Sequence, residues 1–172
     1  MNSVSSVNAL SEVDFVKLLE GIYENSPWVA MAAFSMRPFA NAEALRAALQ
    51  IVVDSSSRES QRELICEHPD LAGRVARSGQ LTDASTQEQG RLGLERLSDE
   101  EYEIFDRLNE AYKERFQFPF VICVGLVEDR KDLLKAFQKR IENTLEEEHD
   151  TAISEIHKIA RIRLRELIEG IS

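Results

Sequence analysis

The residues of this chain best suited to chemistry lie in two short stretches. In Glu67-His68-Pro69-Asp70-Leu71-Ala72-Gly73, one imidazole is followed at once by proline. Imidazole titrates nearest neutral pH and so suits proton transfer. Pro69 restricts the backbone of His68 to extended geometry, which narrows where the ring can point. In Phe118-Pro119-Phe120-Val121-Ile122-Cys123-Val124, two aromatic and three β-branched side chains favour extended backbone. No neighbouring strand is evident, so its N–H and C=O groups must find other partners. A small ligand with ureido-like alternation of donors and acceptors could pair with that edge. Each stretch also has a plainer reading. A lone histidine is more often structural, and an apolar run is more often a buried connection through the core.

Other candidates carry the same ambiguity. Ser85-Thr86-Gln87-Glu88 fits an S-x-x-E capping box, in which Glu88 reaches back to the Ser85 N–H. The functional alternative places Glu88 and Gln89 on the first turn of a helix, beside free N–H groups and a positive dipole end that favour a carboxylate. Arg161, Arg163 and Arg165 follow near the C-terminus. Arginine binds carboxylates in bidentate fashion, although exposure to solvent is its ordinary fate. Arg161 and Arg163 flank an apolar stripe, while Arg165 faces water. Glu146-Glu147-Glu148 reads as a solvated helix start, and His149 and His157 fall in the same charged region.

Composition removes several functional classes. Acidic residues outnumber basic ones by 31 to 21, a net charge of −10, which argues against binding a phosphate backbone. No run approaches the roughly 20 apolar residues that span a bilayer, and Met1–Leu10 lacks the features of a secretion signal. The ending Glu169-Gly170-Ile171-Ser172 is not an S-K-L address. Cys66 and Cys123 have no metal-type spacing, which fits buried free thiols in a reducing compartment. No P-loop, G-x-G-x-x-G, H-E-x-x-H or G-x-S-x-G occurs. The expectation is a cytoplasmic protein with neither nucleic acid nor membrane as partner.

The elements that must position these groups are mostly helical. Ser11 precedes a stripe of Phe15, Leu18, Leu19 and Ile22, and Asn41 precedes Leu45, Leu49, Val52 and Val53. Arg58–Cys66 forms a further helix that ends before Pro69, and Asp70 opens a short one reaching towards Gly79. The Ser85 and Ser98-Asp99-Glu100-Glu101 boxes each open a helix. After the 118–124 stretch come helices over Arg130–Asn143 and Leu145–Gly170. With no repeat or linker, the chain is expected to be one all-α domain of seven or eight helices with one extended apolar segment.

These motifs together resemble the OHCU decarboxylase family, which acts on 2-oxo-4-hydroxy-4-carboxy-5-ureidoimidazoline in urate degradation. The likeness rests on His68-Pro69-Asp70-Leu71-Ala72-Gly73 and on Ser85-Thr86-Gln87-Glu88-Gln89 with Gly93-Leu94. It continues through Phe105-x-x-Leu108-Asn109-x-x-Tyr112-x-x-Arg115-Phe116, Phe118–Val124 and Ile159-Ala160-Arg161-Ile162-Arg163-Leu164. It runs over about residues 11–168 and departs at Gln117, where glycine is common. The resemblance implies a cofactor-free, metal-free and homodimeric decarboxylase forming (S)-allantoin and CO₂. By analogy His68 is the acid–base residue and Glu88 assists it. Pro69, Ser85, Glu88, Gln89 and the backbone of Phe120, Val121, Ile122, Cys123 and Val124 bind substrate, with Arg161 preferred over Arg163 as its anchor. The chain carries no fused transthyretin-like hydrolase, so a free-standing enzyme is expected. A non-catalytic helical interaction module and a hydrolase of another ureido compound are the alternatives.

Overall fold

The computed structural model describes residues 1–72 and 81–171, apart from the side chain of Glu95. Among these residues there are nine α-helices and no strand. They are α1 (Val4–Asn8), α2 (Glu12–Leu19), α3 (Pro27–Phe34), α4 (Ala42–Asp54), α5 (Arg58–Cys66), α6 (Asp83–Gly90), α7 (Asp99–Phe116), α8 (Arg130–Arg140) and α9 (Leu145–Leu167). Short 3₁₀ turns occupy Leu94–Arg96 and Val124–Leu126. The all-α expectation holds. No described helix is long and apolar enough to cross a membrane.

Most helix starts are set locally. Ser3, Ser11, Asn41, Ser57, Thr82, Ser98 and Asp129 each accept a hydrogen bond from the backbone N–H three residues on, which satisfies a donor the helix cannot. Ser98 and Glu101 complete the anticipated capping box. The anticipated box at Ser85 does not form. Thr82 is the cap instead, and its hydroxyl accepts from the Ser85 N–H at 3.2 Å. The nine described helices exceed the expected seven or eight because α1 and α3 carry no periodic apolar signal. The first buries only Val7, and the second is apolar on all sides and shows no stripe. The helix expected after Asp70 lies outside the described residues.

The chain divides into two compact units. The first comprises residues 1–67 and 157–172. Its core holds Phe15, Leu45, Leu49, Val53, Leu64, Leu164 and Ile168. Its chain ends are joined, because the Asn2 N–H donates to the Leu167 carbonyl at 2.8 Å and the Glu169 N–H to the Asn2 carbonyl at 3.0 Å.

The second unit comprises residues 68–156. Its centre is a ring cluster of Phe105, Tyr112, Phe116, Phe118, Phe120 and Phe137, with Phe120 stacked on Phe137 at 3.7 Å. The stretch after α7 has no regular secondary structure as far as Cys123, and Val124 opens a 3₁₀ turn. Gln117 starts it in the left-handed conformation, φ 61°, where a side chain is usually costly. Its carboxamide donates to the carbonyls of Lys113 and Glu114, so it caps the end of α7.

Candidate active site

Helix α6 organises the second unit's polar groups. Ser85 is buried in its first turn, and Gln89 is buried near its end. Because α6 starts at Asp83, Glu88 and Gln89 do not sit on the first turn as expected. They lie towards the C-terminal end, where the helix dipole is negative. The dipole therefore gives no help in holding a carboxylate at these two residues.

Gln89 faces the loop that carries His68. Its Oε1 accepts from the Ala72 N–H at 3.0 Å, and its Nε2 donates to the Asp70 carbonyl at 3.4 Å. From α7, Asn109 donates to the Leu71 carbonyl at 2.9 Å, and Lys113 pairs with the Asp70 carboxylate at 2.8 Å. His68 itself is buried, 7% exposed, directly after the end of α5. Pro69 beside it is half-buried.

Glu88 acts electrostatically on the apolar stretch. Burial pushes the Cys123 thiol up to about 11, and the carboxylates of Glu155 and Glu88 add to that rise. Glu88 therefore lies within electrostatic reach of Cys123. One residue beyond the helix, Arg91 donates to the Gly125 carbonyl at 2.6 Å, which ties α6 to the turn after the stretch. One short helix thus contacts the His68 loop through Gln89 and the turn after the apolar stretch through Arg91.

That backbone is less bare than the sequence suggests. Arg140 donates to the Val121 carbonyl at 2.7 Å, and the Cys123 N–H donates to Glu155 at 2.8 Å. The carbonyls of Cys123 and Val124 accept from the N–H groups of Leu126 and Val127. Without a strand beside it, the stretch has recruited side chains and its own turn as partners. Ile122 lies between the two side-chain contacts and is half-buried.

Arg140 is held in turn by a buried carboxylate. Glu148 accepts from Arg140 Nε at 2.8 Å, again from Arg140 Nη2, from the Tyr112 hydroxyl, and from Asn143 Nδ2 at 2.7 Å. The guanidinium lies over the Phe120 ring, 4.3 Å from its centre. Burial drives the Tyr112 phenol well above its usual range, so it stays a donor. Glu148 is fully buried, contrary to the expected solvated helix start. The signal was present in the spacing: Glu148, Ala152 and Ile156 recur every four residues and prolong the apolar stripe of α9.

Arg161 belongs to the first unit, where it is exposed and borders a small hollow with Ile22, Tyr23, Arg46 and His157. Arg163 is buried there, 2.7 Å from Glu24 and bonded to the Gly21 carbonyl at 3.1 Å, while Arg165 is exposed as expected. The other two histidines are not solvated. His149 is buried against Phe118, and His157 bridges the Tyr23 hydroxyl at 2.9 Å and Asp54 at 3.0 Å. Among the described residues no group of three or more His, Cys, Asp or Glu side chains is arranged to hold a metal ion.

The sequence signature of the OHCU decarboxylase family matches residues 8–165. This chain belongs to that family. The 2-oxo-4-hydroxy-4-carboxy-5-ureidoimidazoline decarboxylase of Haloferax volcanii is 43% identical over 164 residues, 95% of each chain. The protein of the same name from Amia calva is 39% identical over 163 residues, covering 95% of this chain and 93% of its own. Among solved structures, a crystal structure of (S)-allantoin synthase superposes with a TM-score of 0.73 at 29% identity. The match covers 98% of this chain and 54% of that one. The family match spans residues of both units.

Proposed function

We infer that this protein is a carboxy-lyase that converts 2-oxo-4-hydroxy-4-carboxy-5-ureidoimidazoline to (S)-allantoin and CO₂ without a cofactor. The observation that carries the reading is Gln89 on α6 holding the loop of His68, with Glu88 beside it near enough to raise the Cys123 thiol. The family membership and the names of the relatives support the same substrate.

In the proposed reaction the bond to the carboxylate breaks, and its electron pair enters the adjoining C=N system to give an enol-like intermediate. The ring nitrogen that receives the pair takes a proton from solvent. His68 then delivers its proton to the ureido-bearing carbon from one face and takes up the hydroxyl proton as the C=O forms, which sets the configuration of the product. Glu88 holds the hydroxyl or a ring N–H and favours the reactive tautomer. General acid–base catalysis of this kind is typically worth roughly 10² to 10⁴ in rate. Pro69, Ser85 and the backbone of 120–124 orient the ring and ureido group, and orientation supplies part of the rest. Gln89 contributes the amide hydrogen it does not spend on Asp70. Arg161 is proposed as the anchor of the substrate carboxylate on the resemblance alone. The same reading makes the protein a cytoplasmic homodimer.

The test is freshly generated substrate followed by circular dichroism with and without the protein. Faster decay with enrichment of one allantoin enantiomer is the expected result, and CO₂ rather than ammonia is the product released. No acceleration and no enrichment would exclude the assignment. His68→Ala should abolish the effect and leave the helical signal intact.

A further inference from the structure

The peptide unit joining Leu71 to Ala72 is gripped at both of its polar ends. Its carbonyl accepts from Asn109 Nδ2 at 2.9 Å, and its N–H donates to Gln89 Oε1 at 3.0 Å. One residue earlier, the Asp70 carbonyl accepts from Gln89 Nε2 and the Asp70 carboxylate from Lys113. Asn109, Gln89, Leu71 and Ala72 are all buried, so water does not compete for these groups. Ala72 is held at φ 52°, a left-handed conformation that crowds the Cβ against the following carbonyl and that residues other than glycine rarely adopt. The grip lies three to four residues after the His68 imidazole, and Pro69 removes much of the freedom between.

We propose that Asn109 and Gln89 are positioning residues that hold the left-handed turn at Ala72 and thereby set where the His68 ring points. Neither acts on the reacting atoms through these bonds. The catalytic consequence rests on the role proposed for His68, but the geometric claim does not. A strained turn persists only where its surroundings over-determine it, and here three side chains from two helices converge on residues 70–72. Losing the grip releases the turn and lets the ring wander, which lowers the proton-transfer step more than substrate binding.

The variants are Asn109→Leu and Gln89→Met, which keep the side-chain shape and remove the hydrogen bonds. In protein labelled with ¹⁵N-histidine, three imidazole spin systems are expected, each with two ring nitrogens, and His68→Ala assigns one of them. In either variant the His68 signal should shift or broaden, while those of His149 and His157 stay in place. With substrate, Asn109→Leu should lower kcat about tenfold or more with KM within about twofold. Gln89, which also offers the substrate an amide hydrogen, is read by the imidazole spectrum alone. An unchanged His68 signal in both folded variants would overturn the grip. A rise in KM with kcat preserved in Asn109→Leu would overturn the positioning role and make that residue a substrate contact. If Asn109→Leu fails to fold, Asn109→Ser takes its place; if Gln89→Met does, the Asn109 variant decides. Wild-type protein that turns over no substrate would remove the proposed reaction, while the imidazole spectra still decide the grip.

Discussion

Arg140 donates through Nη1 to the main-chain carbonyl of Val121 at 2.7 Å. Through Nε it donates to the fully buried Glu148 at 2.8 Å. One guanidinium thus fastens the apolar stretch to α9 and balances a carboxylate that has no access to water. A planar fork can make both contacts at once, whereas a lysine ammonium has one donor centre.

Removing Arg140 should therefore be costly. Arg140→Met leaves the buried Glu148 without its cationic partner, a defect worth about 3–5 kcal/mol. Arg140→Lys keeps the charge and loses the simultaneous contacts, so it should recover part of the stability and little of the activity. Urea unfolding midpoints and turnover, measured on both variants, check the two halves of this statement. A stable and fully active Arg140→Met protein would show that the carbonyl of Val121 needs no such support.

The two thiols should differ in reactivity. Cys66 is exposed, whereas Cys123 is buried and its thiol is pushed up to about 11. Burial also raises the Cys66 thiol, followed by smaller and opposing effects of its charged neighbours. Alkylation of the native protein near pH 8 should modify Cys66 and spare Cys123 until the fold is disrupted. Mass spectrometry after timed quenching reads this directly. Glu155→Gln keeps an acceptor for the Cys123 N–H but removes one of the charges that raise the thiol, so it should bring the titration of Cys123 down.

The same shift has a sign in stability. The folded protein holds the Cys123 proton more tightly than the unfolded chain, whose thiol has its ordinary value of 9.0. This contribution is fully present below pH 9 and is lost as pH rises towards about 11. Denaturation midpoints should fall across that window, and Cys123→Ala should make that fall shallower.

The acid limb has the opposite origin. Hydrogen bonds from the Ser98 backbone, then the Arg130 pair, hold the Glu101 carboxyl below its ordinary value of 4.5, and the Thr144 backbone does the same for Glu147. Here the folded state prefers the ionised form, so the contribution is present above about 4.5 and is lost as pH falls through the lower folded values. Ser98→Ala should cost about 1 kcal/mol at neutral pH through the lost cap. Glu101→Gln should flatten the acid limb, as measured by urea unfolding at a series of pH values. An unchanged acid limb would mean that other carboxylates govern it.

Local pattern determined most of the helices of this protein, because caps and apolar spacing act within a few residues of themselves. Ser11, Asn41 and Ser98 open helices where the sequence places them, and the stripes of α4 and α9 are legible from spacing alone. Motif order was enough to indicate the family, His68 and the apolar stretch. Short or uniformly apolar helices escaped that reading, since α1 and α3 carry no periodic contrast. The choice of Thr82 over Ser85 as a cap was also undecided locally, because both residues are competent and packing selects the register.

Tertiary structure alone decided the partners of the polar groups. Glu148 and Arg140 look like ordinary surface charges, yet both are buried against each other and Tyr112. Gln89 and Asn109 lie twenty residues apart and meet on one peptide unit of a third segment. A buried polar atom must take whatever complementary group the fold brings within about 3 Å. That distance is a property of the folded chain, and no local spacing records it.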